Sequence, residues 1–348
     1  MTDRPNDPLD APLDAPLDDP LVPGLATGIG SLPHTDARAA AEVSCEATPR
    51  LPAAPQLPNR SERELMLPQW AVALPEIVVE AGGRLRFDCT VDAAPPEPRF
   101  DATAHGGLLA FVDLLACRSA PVPRVKLQLT GPLTLGLALC EAGMPAPMAF
   151  RRASEVVLAW IPTLEELVAT RLPGTQVVLV LDEPGLVVWR ETDGPLEREA
   201  AVDLLSGTLA SVQGIAGVHV CGQGDRRLVL EAGPHLVSVE VTEDLVDDGG
   251  LIARYLDGGG WVAWGAIPTD GPIGDSGELP WRRLAGVWCE LTRRGCDPVL
   301  LRTRAVITPA CGLVGHGPSQ AARALRLAST LADRVHDQAF AARLTLGA

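Results

Sequence analysis

Residues able to hold a metal ion stand far apart in the second half of this 348-residue chain. His219 and Cys221 occur in G-V-H-V-C-G, Glu240 in L-V-S-V-E-V-T and Cys311 in I-T-P-A-C-G-L. They offer one imidazole, two thiolates and one carboxylate, a donor set that Zn²⁺ accepts. An H-x-C pair alone is weak, because Cys and His are often simply buried. What joins the four is position, since each closes a short apolar run that reads as a β-strand. Two thiolates and a carboxylate around a divalent ion leave a formal charge of about −1. Such an electron-rich zinc suits a substrate thiolate that must stay nucleophilic better than it suits water activation, which more often uses His-rich ligands and an open position. The chemistry expected is alkylation of a thiol. Gly222 and Gly312 follow the two cysteines and let backbone crowd close to such a site.

These residues need elements that bring their strand ends together. Strands are expected over Leu25–Gly30, Val125–Thr130, Val177–Leu181, Gly217–Val220, Leu236–Val241, Trp261–Ala266 and Ala305–Thr308. Longer stretches with helical spacing lie between them. One is Met148–Arg171, which Pro162 is expected to kink or split, and another is Ser319–Val335. Apolar strands alternating with helices imply parallel βαβ units, packed either as a closed (β/α)₈ barrel or as an open doubly wound sheet. No G-x-G-x-x-G follows the first strand, which weakens a dinucleotide-binding reading. The polar residues of interest sit at the carboxyl ends of different strands, and in a barrel those ends share one mouth. The expectation is therefore a single TIM barrel over residues 22–346. In a strand, residues two apart share a face, so His219 and Cys221 point inward together. Pro95 to Pro98 reads as a loop rather than a domain boundary.

Residues 8–21 form a near-tetrapeptide repeat, P-L-D-A-P-L-D-A-P-L-D-D-P-L, which cannot build a core. Residues 1–21 are read as a disordered acidic tail. The net charge is −15 and Lys126 is the only lysine, a balance that disfavours nucleic acid and anionic membranes as partners. Eight cysteines at irregular spacing suggest reduced thiols in a cytoplasmic setting. Neither a signal peptide nor an apolar run long enough to span a bilayer is present in this sequence.

Several segments, in order, resemble the catalytic domain of cobalamin-independent methionine synthase. Gly28-Ile29-Gly30-Ser31-Leu32-Pro33 looks like the family's I-G-S-F-P, and Leu129-Thr130-Gly131-Pro132-Leu133-Thr134 looks like its L-T-G-P-V-T. Asp182-Glu183-Pro184 matches D-E-P. His219-Val220-Cys221, Glu240 and Pro309-Ala310-Cys311-Gly312-Leu313 match its metal segments. The resemblance covers most of the chain after the tail. It implies that zinc held by His219, Cys221, Glu240 and Cys311 activates homocysteine as its thiolate, and that a methyl group passes to the sulfur. It also implies that Ile29 and Ser31 contact the amino-acid part of the substrate and that Asp182 pairs with its ammonium group.

Departures from the family pattern bear on the donor. Only one barrel is present. Ala138 replaces the aromatic residue expected to stack on folate, and Val188 replaces a folate-contacting Glu. The family's proton-donating His is missing from Trp264–Asp270. His34 and His316 are the candidates to take its place. These losses point away from methyltetrahydrofolate and towards short, single-domain members, some of which accept methyl from a methylated corrinoid. A methylated corrinoid protein is thus a candidate partner beside the small thiol. An epoxide–thiol transferase would keep the zinc without a methyl donor, a decarboxylase of the same superfamily would need no zinc, so the ligand set argues against it, and a binding protein without turnover would keep the site alone.

Overall fold

The computed structural model describes residues 21–189 and 194–345. Seven parallel strands form one curled sheet: β1 (Leu25–Ala26), β2 (Arg124–Thr130), β3 (Gln176–Asp182), β4 (Ile215–Val220), β5 (Leu236–Glu240), β6 (Trp261–Ile267) and β7 (Ala305–Pro309). Their order across the sheet is β1-β7-β6-β5-β4-β3-β2. The long β-strands are near-continuous Val/Leu/Ile runs because both faces are covered, by helices outside and by side chains inside the curl. A two-stranded antiparallel hairpin, Ile77–Val79 with Leu85–Phe87, lies apart from this sheet.

All seven expected strands are found within a few residues of their bounds, except that the first stops at Ala26. Among the described residues an eighth continuous strand is not. Between β1 and β2 the chain runs extended through Pro52, Ala53, Ala54, Pro55 and Gln56 and makes only two isolated parallel bridges, Ala53 with Lys126 and Ser31 with Gln56. Their backbone bonds are Ala54 N to the Lys126 carbonyl and Lys126 N to the Pro52 carbonyl, both at 2.9 Å, with Gln56 N to the Gly30 carbonyl at 3.0 Å and Leu32 N to the Gln56 carbonyl at 2.9 Å. Pro52 and Pro55 lack the N–H that a regular ladder requires, which limits this segment to single bridges. The fold is therefore a TIM-like curled parallel sheet whose closing position is filled by irregular chain.

Residues 92–105 form no regular element, in line with a loop around Pro95 to Pro98. Pro162 neither splits nor ends its helix, which runs unbroken from Ala146 to Arg171. The carbonyl that Pro162 leaves without an intrahelical donor belongs to Leu158, an exposed residue, so water can satisfy it. The last helix spans Pro318–Thr345. The acidic tail expected over 1–21 lies outside the described residues except at its end: Leu21 is fully buried inside the curl with Leu25 and Leu51, so it belongs to the body. No helix among the described residues is long and apolar enough to cross a membrane.

The inner face of the sheet changes character along the strands. Leu25, Val178, Ile215, Leu236, Trp261 and Val306 pack together towards the amino ends. One or two inward positions further on stand Thr27, Gln128, Asp182, His219, Ser238 and Thr308, all buried. Strand alternation carries this switch, because every second residue faces inward. An apolar floor thus supports a polar rim at the carboxyl ends.

Two of the sequence motifs meet at that rim. Glu183 is fully buried, and its carboxylate accepts from Leu133 N at 3.0 Å, Thr134 N at 2.7 Å and Thr134 Oγ1 at 2.6 Å. It caps the helix Pro132–Glu141, whose first N–H groups have no intrahelical partner. A Cβ on Gly131 would lie 2.1 Å from Glu183 Oε1, so only glycine leaves room for the carboxylate. The T-G-P-L-T and D-E-P segments are two halves of one clamp between β3 and the helix after β2.

Candidate metal centre

His219 is the last inward residue of β4, and Cys221 follows one residue past the strand end. Cys311 stands two residues beyond β7. The Sγ atoms of Cys221 and Cys311 lie 3.6 Å apart, and Cys221 Sγ lies 3.2 Å from His219 Nε2. All three donor atoms fall within 4.8 Å of one another. The sulfur separation is far longer than a disulfide bond of about 2.05 Å. It is close to the roughly 3.8 Å that two Zn–S bonds of about 2.3 Å subtend at a tetrahedral angle. The residues present fit a zinc ion.

The imidazole is held for that role. His219 sits opposite Ser238 in the β4–β5 register, and its Nδ1 lies 2.9 Å from Ser238 Oγ. With Nδ1 engaged there, Nε2 is the atom left facing the sulfurs. An outer partner on the second nitrogen is the usual device for orienting a metal-binding His. Ser238 was not singled out from the sequence. Its signal was the inward alternation that it shares with Glu240 two residues on.

Glu240 does not join the three. It ends β5 beside Gly265 of β6, with its carboxylate outside the compact trio. It is electrostatically coupled to them all the same: burial raises its pKa, and Asp270 and Cys311 raise it further. Hydrogen bonds from Cys221 and His219 pull the Cys311 thiol down. The Cys221 thiol is pushed upward by its hydrogen bond to Cys311 and by burial. Asp182 and Glu240 bear on the same two sulfurs, so negative charge is crowded at the cluster. A divalent cation would offset that negative charge and release the second thiol proton.

Asp182 lies beside the cluster, level with Thr130 on one side and His219 on the other. It is 8% exposed, and its Oδ1 has no hydrogen-bond partner. Burial raises its pKa, while the charges of Lys126 and His219 oppose the rise. A buried acceptor left open in this way favours a cationic or N–H-bearing ligand group. Ile29 and Ser31 lie in the turn after β1, and Ser31 O accepts from Leu313 N at 2.9 Å, which brings that turn against the Cys311 loop. A Cβ on Gly312 would lie 2.0 Å from Ser31 Oγ, so the crowding expected at this glycine is present. At Gly222 nothing crowds; that residue instead turns the chain with φ +51°.

The two histidine candidates are placed differently. His316 Nε2 lies 3.1 Å from the carbonyl oxygen of Thr269, so the loop after β7 reaches the loop after β6. His34 is buried with Nδ1 unpartnered, and burial lowers its pKa against the pull of Asp36. Neither belongs to the metal-binding trio.

The curled parallel sheet, with the candidate residues gathered at its carboxyl rim, defines a TIM-like α/β fold. A B12-independent methionine synthase from Shewanella sp. W3-18-1, solved with selenomethionine, superposes with a TM-score of 0.60 at 14% identity, covering 92% of this chain and 99% of that one. A methyltransferase from Methanosarcina mazei superposes with a TM-score of 0.53 at 16% identity, covering 91% and 95%. No family model matches the sequence, and no curated protein matches it. The likeness is one of fold.

Proposed function

We propose that this chain is a zinc-dependent transferase that moves a methyl group to a small thiol, homocysteine or a close relative. The observation that carries this reading is the convergence of His219 Nε2, Cys221 Sγ and Cys311 Sγ at tetrahedral ligand spacing. Glu240, which ends the neighbouring strand, is the fourth donor in this reading. A zinc ion there supplies one thing, stabilisation of the substrate sulfur as thiolate near neutral pH. The chain's own residues do the rest. Asp182 offers its open oxygen to the substrate's ammonium group. The Ile29–Ser31 turn orients the amino-acid end. The apolar floor of the sheet keeps water from below.

In the transfer a carbon–sulfur bond forms as the bond between methyl and donor breaks, and that electron pair leaves with the donor. No oxidant or reductant is needed. We place the reaction in a reducing, cytoplasmic compartment, where Cys221 and Cys311 stay unjoined. The donor is a methylated corrinoid, carried by a partner protein, rather than a folate. Ala138 offers no stacking ring, and Val188, 71% exposed, offers no acceptor for a pterin.

Zinc analysis of the purified chain, followed by incubation of homocysteine with methylcobalamin or methyltetrahydrofolate, tests this reading. One zinc per chain and methionine formed from the corrinoid is the expected result. A chain that takes up no zinc overturns the reading. So does a zinc-loaded chain that methylates no thiol from either donor, and opening of an epoxide by the same thiol would replace methyl transfer with ring opening.

A further inference from the structure

Lys126, the only lysine in the sequence, is buried inside the curl at 2% exposure. Its amine cannot reach water, so it must find partners within. Nζ donates to the Ile29 carbonyl oxygen and lies 3.3 Å from Gln128 Oε1. Gln128 Nε2 in turn donates to the Ala54 carbonyl oxygen at 2.7 Å. These bonds fall where the sheet lacks a continuous strand, so the turn after β1 is held on that side by the single Ser31–Gln56 bridge and by these side chains. Gly30 carries φ +142°, and a Cβ there would lie 2.5 Å from Gln128 Cδ. The far end of the same turn is Ser31, which packs on Gly312 and accepts from Leu313 N. A continuous line of contacts therefore runs from Lys126 and Gln128, through Ile29, Gly30 and Ser31, to the residue after Cys311.

We propose that Lys126 is a positioning residue: through the Ile29–Ser31 turn it seats the loop that brings the Cys311 sulfur to Cys221. The inference rests on reading His219, Cys221 and Cys311 as a metal centre. A buried ammonium suits the task because it can donate to several oxygens at once, and outer contacts of this kind fix where a ligand sits. Burial lowers its pKa to about 8, while Asp182 pulls the other way.

Two variants test the link at different points. Lys126→Met removes the donor at similar volume, and Gly30→Ala displaces the turn from Gln128. Zinc affinity is measured by chelator competition, and the cysteines of the metal-free chain are alkylated with iodoacetamide and quantified one by one by mass spectrometry. Zinc binding is expected to weaken by about 10- to 100-fold. The alkylation rate of Cys311 is expected to change by at least about tenfold from the parent's, because its sulfur leaves Cys221, a tenfold change corresponding to about 1.4 kcal/mol. Cys45 and Cys296, both buried elsewhere, should stay protected. Unchanged zinc affinity and unchanged Cys311 reactivity in folded variants would overturn the proposal. So would faster alkylation of the buried Cys45 and Cys296, which would make the role general packing. A parent chain that binds no zinc would end the metal reading, yet the alkylation arm needs no metal and still decides the link from Lys126 to Cys311.

Discussion

The sulfur atoms of Cys221 and Cys311 lie 3.6 Å apart although 90 positions separate them in the chain. Nothing local brings them together; the curl of the parallel sheet does. Replacing either residue with Ser removes a soft donor and leaves a hydroxyl that binds zinc poorly. Cys221→Ser and Cys311→Ser should each lose most of the bound metal while the far-ultraviolet circular dichroism stays that of the parent. Metal retained at the parent level in either variant would remove that cysteine from the centre.

Ser238 Oγ lies 2.9 Å from Nδ1 of His219 and holds the ring. Ser238→Ala leaves the ring free to turn and one nitrogen without its partner. Zinc affinity should fall by about 10- to 100-fold, with little change in unfolding temperature. Chelator competition on the folded variant checks this, and Ser238→Thr, which keeps the hydroxyl, should recover part of the loss.

Gly131 leaves the space that the Glu183 carboxylate fills. Gly131→Ala forces the carboxylate away from Leu133 N and Thr134 N and uncaps the helix. The expected cost is about 1–3 kcal/mol in denaturant unfolding. A variant as stable as the parent would show that the clamp adds nothing.

His105 is buried among Trp70, Phe100 and Trp160, with ring centroids 5.4, 5.6 and 5.0 Å away. Burial lowers its pKa to about 4. Between about pH 4 and the ordinary His value near 6.5, the unfolded chain binds a proton that the folded chain refuses. Stability from this group is therefore complete above about 6.5 and is lost as the pH falls, by up to about 1.4 kcal/mol per pH unit. His105→Phe should lack that share of the slope. Urea unfolding of both chains at pH 7 and pH 5 measures the difference, and equal slopes would place the acid sensitivity elsewhere.

The parts of this structure that follow a period were legible in the sequence. Buried parallel strands such as Gln176–Asp182 are unbroken apolar runs, and they set the bounds of the sheet closely. The trio His219, Cys221 and Cys311 was legible because its members stand at strand ends. Two features were not. Pro52 and Pro55 erase the pattern of a strand where the sheet would close, so irregular chain stands there, stitched by Lys126 and Gln128. Ser238 and Glu183 look ordinary in sequence, since a serine or a glutamate gains its role only from the residue placed opposite it. Glu240 shows the converse, a ligand type at the right strand end whose carboxylate stands outside the trio.

The most direct measurement is zinc-edge X-ray absorption on the metal-loaded chain before and after homocysteine is added. Two sulfur neighbours at about 2.3 Å, joined by a third on adding the thiol, is the expected result. A metal shell without sulfur, or one that the thiol leaves unchanged, would contradict a centre built on Cys221 and Cys311 for holding a substrate sulfur.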